Sequence, residues 1–251
     1  MRTEEIRRSI VGVAAIAWFY GIAPLRRNIY WSFHYALAPL AFLFFIYLYG
    51  GSGSVGYALA GGFVMVTVTA SVSMETEAAF NRIVLKLHEM YVASPVRPLT
   101  YVIGLALANQ LSAAPGVATF LVITTALTLL TPLLFFTIIF SLITVWITFS
   151  VLGYIISTLV RDLRDLWTWS PIITGLVSVL PPVFYPLELL PEALRGVAYI
   201  IPTATAARLV HIAIGAVTAA QQEWILLWTA AAIQSTIAIA VLLRNTRWRI
   251  T

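Results

Sequence analysis

The sequence predicts an all-α integral membrane protein with six transmembrane helices, an N-terminal interfacial helix and a re-entrant helical hairpin before the last span. Three observations carry this expectation. Only 10% of the 251 residues are charged and 61% are hydrophobic, whereas a soluble domain of this size carries about a quarter charged residues. Charge-free stretches of spanning length recur along the chain. The short charged segments between them alternate in Lys and Arg content, as the two sides of a membrane require.

A helix crosses roughly 30 Å of hydrocarbon with about 20 apolar residues. No charged residue occurs from Asn28 to Met74, and the run is interrupted only by the glycine-rich stretch Tyr49 to Gly56. That reads as two helices, 30–50 and 56–74. Pro98 to Val160 is again free of charge, and Thr128 to Pro132 divides it into helices at 101–126 and 132–157. Leu166 to Leu187 supplies a fifth span and Trp224 to Leu243 a sixth. The apolar stretch Ser9 to Leu25 is flanked by basic pairs, and within the N-terminal segment 1–29 it reads as an interfacial helix with Trp18, Phe19 and Tyr20 at headgroup depth. The whole of 1–251 forms one transmembrane domain.

Orientation follows from the fifteen Lys and Arg residues. With both termini cytoplasmic, Arg2, Arg7, Arg8, Arg26, Arg27, Arg82, Lys86, Arg97, Arg161, Arg164, Arg244, Arg247 and Arg249 lie inside, and only Arg195 and Arg208 outside. The scattered basic clusters suit an anionic inner leaflet and not a nucleic-acid face. A multi-pass protein of the cell membrane is the expected setting.

Two segments between spans carry the most information. In the inner loop 76–97, Phe80, Ile83, Val84, Leu87 and Tyr91 recur at helical spacing, opposite Asn81, Arg82, His88 and Glu89. An amphipathic helix to about Ala93 is expected, ended by Ser94 and Pro95. The second segment, 181–215, follows a fifth helix that reaches Pro181 and Pro182 after only about 22 Å. Pro186, Pro191 and Pro202 forbid one continuous helix there, while the apolarity disfavours water. Two short helices dipping into the outer leaflet resolve the conflict, with the turn near Pro202 and with protein covering their free backbone groups.

Lys86-Leu-His-Glu-Met-Tyr-Val-Ala-Ser-Pro-Val96, followed by Tyr101 and Gly104, resembles the loop of ABC-2 type transporter permeases. So does Pro181-Pro-Val-Phe-Tyr-Pro-Leu-Glu-Leu-Leu-Pro191, with Pro202 and Arg208 after it. Where many members carry Gly-Thr before the loop's Leu-Glu, Val84, Leu85 and Lys86 stand here. The resemblance implies the membrane half of an ABC exporter, paired with a second permease copy or paralogue and two copies of an ABC ATPase subunit. Phe80, Arg82, Leu87, Glu89, Ser94 and Pro95 would then belong to the ATPase-coupling helix. Pro181, Pro182, Tyr185, Pro186, Pro191 and Pro202 would belong to the outer gate. ATP and Mg would be bound by the partner, and no cofactor by this chain.

Other chemistry is thinly supported. The single lysine, Lys86, follows no phosphate-cradling glycine loop. The absence of cysteine removes disulfides, thiolate metal sites and a Cys nucleophile. His88-Glu89 lacks the second histidine of a zinc-protease motif. Gly50-Gly51-Ser52-Gly53, with His34 or His211 as base, matches a rhomboid-protease serine only loosely and reads better as a flexible turn. Asn109, Gln110 and Gln234 fall within spans, where helix–helix hydrogen bonding is their expected role. Intramembrane carboxylates are nearly absent, which argues against a proton-coupled pump. A secondary transporter or channel working without an ATPase is the alternative reading, and the substrate is not legible.

The charge asymmetry generates a topology prediction. Single cysteines at Ser52, Thr131 and Ala219 label from outside with an impermeant thiol reagent, and those at Arg82, Asp162 and Arg247 do not. Outside labelling at Arg247 gives an odd number of crossings and overturns the orientation.

Overall fold

A computed structural model describes residues 2–94 and 96–246. Its helices are α1 (Arg2–Ala17), α2 (Ala23–Arg27), α3 (Tyr30–Gly50), α4 (Val55–Val72), α5 (Met74–Ile83), α6 (Leu87–Ala93), α7 (Pro98–Leu127), α8 (Pro132–Leu159), α9 (Leu163–Ser178), α10 (Glu192–Ala198), α11 (Pro202–Ala213) and α12 (Gln221–Asn245). No strand occurs among the described residues.

The bundle is built around α4, which is buried almost throughout from Ala58 to Val72 and packs against α3, α7, α8, α9 and α11. A helix this apolar on all sides belongs in the interior. Glycines set its approach distances. A Cβ on Gly61 would overlap the Phe184 ring, and one on Gly62 the Phe120 ring. At Gly153 of α8 a Cβ would come within 3.1 Å of the Ser71 carbonyl oxygen. Small residues at crossings are how membrane helices gain close packing without a hydrophobic driving force.

Paired contacts fix the directions. Gly62 meets Phe120, Val66 meets Gly116 and Asn81 meets Tyr101, so α4 and α5 run antiparallel to α7. Leu59 and Phe63 share a cluster with Leu134 and Ile138, while Arg82 reaches Ser157, so α8 runs parallel to α4. The turns 51–54, 128–131 and 214–220 gather at one end, and the segments 84–97 and 160–162 at the other, here called the basic end.

Six helices are long and apolar enough to cross a membrane: Glu4–Arg27, Ser32–Gly50, Ser52–Ile83, Pro98–Leu127, Pro132–Leu159 and Gln221–Asn245. The number agrees with the sequence reading, but the membership differs. The segment expected as a fifth span, 166–187, is α9, only 16 residues long and finished at Ser178 ahead of Pro181 and Pro182. The N-terminal segment, in turn, is one helical rod of 24 residues through a π-turn at Trp18–Ile22. It lies along α7, with Glu5 bridging Arg97 at 3.2 Å, Gly12 beside Thr100, Ile16 beside Gly104 and Gly21 against the Ala108 backbone. It therefore accompanies α7 over residues 97–108, about 17 Å at the basic end, and leaves Trp18 and Phe19 exposed.

The expected single amphipathic helix through 80–93 is also corrected. α5 prolongs α4 to Ile83, the chain breaks at Val84 to Lys86, and α6 starts afresh at Leu87. Lys86 takes a left-handed conformation (φ 51°), uncommon for a residue with a side chain and sufficient to redirect the helix. Within α5 and the break after it the faces are reversed as well. Asn81 is buried and donates to Tyr101 Oη at 3.2 Å, while Phe80, Val84 and Leu85 are exposed.

Gly62 yields a stability prediction. Gly62→Ala forces a methyl group into the Phe120 ring, and overpacking of this kind costs about 1–3 kcal/mol. Melting in detergent shows the loss, and adding Phe120→Leu recovers most of it. No loss in the single variant would mean that the α4–α7 contact is looser than described.

Candidate functional site

The segment between α9 and α12 is where the chain departs from simple spans. After Ser178 it runs through Pro181 and Pro182, both buried, and a 3₁₀ turn at Leu187–Leu189. It then forms α10 and, after a 96° bend, α11. Pro202 occupies the first turn of α11, where its missing N–H costs nothing. α11 is buried from Thr203 to Ile212 and packs on α4, α8 and α12.

The depth of this bend follows from its partners. Gln234, thirteen residues into α12, donates to the Tyr199 and Ile200 carbonyls and to Thr205 Oγ1, each at 3.2 Å. Thr203 Oγ1 donates to the Val177 carbonyl at 2.5 Å. At the other end of α11, Ala216 lies against Gly56 beside the turn ends of the bundle. The chain thus enters to mid-bundle at 199–202 and returns along α11 to the side it came from, a re-entrant course.

Several breaks in the backbone meet a side chain. Tyr185 Oη donates to Leu180 O at 2.5 Å, Arg195 to Glu188 O at 2.8 Å and to Leu190 O at 3.0 Å. His211 Nε2 lies 3.1 Å from Val183 O, a bond that requires the Nε2–H tautomer. A non-helical segment survives at membrane depth only when protein takes over its free carbonyls, and here four polar side chains of the segment and one of α12 do so.

An ion network closes the arrangement. Arg208, 7% exposed, donates from Nε to Glu223 Oε1 at 2.8 Å, and its Nη2 lies 2.9 Å from Glu188 Oε1. Tyr199 Oη adds a donor to the same Glu223 oxygen at 3.1 Å. Arg208 thereby joins α11 to the 3₁₀ turn on one side and to α12 on the other. With Arg195 near Glu188, two cations balance two anions. The arrangement can hold the hairpin in register. No group of three His, Asp or Glu suited to a metal occurs among the described residues.

The basic end carries the second set. Phe80 is 41% exposed on α5. Arg82, expected on a solvent-facing side, instead turns inward and donates to Ser157 O at 2.7 Å and Val160 O at 2.5 Å. It caps the C-terminus of α8, where orphan carbonyls and the negative end of the helix dipole favour a cation. Leu87 is half-buried in α6. Glu89 lies on the same helix, and its side chain is outside the described residues. Ser94 donates to Tyr91 O at 2.8 Å and accepts from Val96 N at 3.2 Å, and so shapes the turn itself. Pro95 lies outside the described residues. Tyr91 packs its ring 4.8 Å from that of Tyr101 on α7.

Of the expected gate residues, Pro181 and Pro182 are buried, Tyr185, Pro186 and Pro202 half-buried, and Pro191 exposed ahead of α10. The sequence reading named His211 only as a possible base and did not anticipate its bond to Val183, Glu223 or the Arg208 network. A lone charge in apolar surroundings was the available signal, but its partners lie 15 and 20 residues away. Gln110 and Gln234 take the helix-bonding role expected of them, Gln110 donating to Ser71 Oγ at 2.9 Å. Ser52 sits exposed in a 3₁₀ turn and His211 is engaged with Val183, so those two residues do not form a pair.

A family model described as ABC-2 type transporter matches residues 18–214. A search of curated proteins returns no match.

The ion network predicts graded losses. Arg208→Gln strands two carboxylates, one of them largely buried, and lowers stability by roughly 3 kcal/mol. Glu188→Gln costs under about 1 kcal/mol, since that side chain is 53% exposed. Detergent melting curves check the order. Equal effects of the two substitutions would remove Arg208 from the centre of the network.

Proposed function

The chain belongs to the ABC-2 type transporter family, and from that premise we propose that it is the membrane-spanning permease of an ATP-driven exporter. It contains no nucleotide-binding loop of its own, so two copies of a separate ABC ATPase supply the energy, and a second permease copy or paralogue completes the path. The observation that carries this reading is the basic end. There α5 and the break after it present exposed Phe80, Val84 and Leu85, followed by Met90 of α6, at the foot of the most buried helix of the bundle. An exposed apolar turn continuous with the core is built to receive force from a partner.

The charge bias supports a cytoplasmic position for this end and both termini. ATP binding draws the partner subunits together and pushes on the 80–93 turn. The push travels by two connections. Arg82 ties α5 to the end of α8, and Tyr91 rests against Tyr101 at the start of α7. The N-terminal helix, lying on the same part of α7, moves with it. At the far end, the hairpin held by Arg208 covers the outlet, and lipid surrounds the exposed aromatic face of α3. The change between inward- and outward-open states is a population shift driven by differential affinity for the two.

The test begins with purification of the tagged chain and identification of what accompanies it; an ABC ATPase is expected. Leu85→Glu places a charge on the exposed turn and reduces both recovery of the ATPase and transport-coupled ATP hydrolysis, by about tenfold or more for a contact at an interface centre. Membrane insertion and melting stay unchanged. An ATPase-free preparation that transports its cargo overturns the reading.

A further inference from the structure

Glu75 has no place in the coupling end or the hairpin, yet its position is the least expected in the bundle. It lies in the first turn of α5 with 0% of its surface exposed. Neither carboxylate oxygen meets a donor with hydrogen-bond geometry, and the polar group facing it is the hydroxyl of Ser170 on α9. Among the described residues it is the only fully buried carboxylate. Counted along α5 from Ile83, it stands about 12 Å inside the basic end. A carboxylate at such depth is costly and marks a functional position, with a cation as the usual partner. No described cation pairs with it; Arg208, the buried one, is engaged by Glu188 and Glu223 at the hairpin.

The surroundings show from which side a partner reaches it. On one side α8 closes tightly, since a Cβ on Gly153 would come within 3.3 Å of the Glu75 nitrogen. On the other side lies α9, which packs on α4 and α5. Its opposite face leaves Trp169, Ile172 and Leu176 exposed. One short helix therefore separates the carboxyl from an apolar, tryptophan-bearing surface. A shift of α9 away from α5 opens Glu75 to that surface without breaking the α4–α8 contact.

Resting on the transport reading above, we propose that Glu75 is the charge-recognition group of the cargo site, and that the cargo is a lipophilic cation. An apolar body suits the exposed face of α9, tryptophan faces attract a cation, and the single positive centre supplies the partner that the protein withholds. An anionic or neutral amphiphile would leave the carboxylate as it stands, unpaired.

Equilibrium binding of tetraphenylphosphonium to the full chain in lipid nanodiscs tests the assignment, with tetraphenylborate as an anion of the same shape. Saturable binding of the phosphonium and none of the borate is expected. Glu75→Gln weakens phosphonium binding by at least about tenfold, Glu75→Asp retains it in part, and Glu75→Gln melts no lower than the parent protein because no ion pair is lost. Absence of phosphonium binding to the parent, or equal binding by Glu75→Gln, overturns the proposal. Recovery of an ABC ATPase with the chain is read separately, so the transport reading and the cargo assignment fail independently.

Discussion

Hydrocarbon offers no water to a free carbonyl, and the whole region between α9 and α12 depends on how that requirement is met. Spans satisfy it internally, through i to i+4 bonds. From Val177 to Ile200 the chain abandons helix at several points, and each exposed carbonyl described above is taken by Thr203, Tyr185, His211, Arg195 or Gln234. These donors come mostly from α10 and α11, so the hairpin solves its own solvation problem by folding back. Gln234 of α12 holds the deepest point.

The same accounting explains the charges. Arg208 at 7% exposure would be prohibitive alone. Two carboxylates and the Tyr199 hydroxyl around it make a shared network, in which losing any central member leaves another group unsatisfied. Its value lies in geometry, because it fixes one orientation of α11 between the 3₁₀ turn and α12. Glu75 is the contrast. It is as deeply buried and has no such shell, and that difference separates a structural charge from one left for a ligand.

At the opposite end, few contacts tie the break in the helix to the bundle. The break at Val84 to Lys86, with its left-handed Lys86, separates α6 from the rigid α4–α5 rod. Arg82 just before the break and Tyr91 just after it reach α8 and α7 respectively. Under the proposed coupling, a push on the turn is divided between two helices that both run the length of the bundle. The glycine contacts of α4 with Phe120 and Phe184 carry it onward, since close-packed rings cannot absorb displacement by compressing.

Composition, the charge-free runs and the prolines by themselves determined the class, most of the long helices, the interruption after α9 and the start of α11 at Pro202. Each of these depends on a local property: hydropathy over twenty residues, or a missing N–H. The 80–93 segment was read as one amphipathic helix because its periodicity persists across Lys86, and periodicity carries no information about a single left-handed residue. In its α5 part the faces are reversed because Asn81 and Arg82 look solvent-seeking until Tyr101 and the end of α8, 20 and 75 residues on, supply their partners. The N-terminal segment and α9 share a related difficulty. Hydropathy over a window does not say whether a helix crosses or lies against a neighbour, and only packing along α7 or on α4 shows how each is placed. Pairings between distant residues, among them Arg208 with Glu223 and Glu75 with no cation at all, exist only in the tertiary structure, because burial and a low dielectric give them their energy and neither is a property of the chain in sequence.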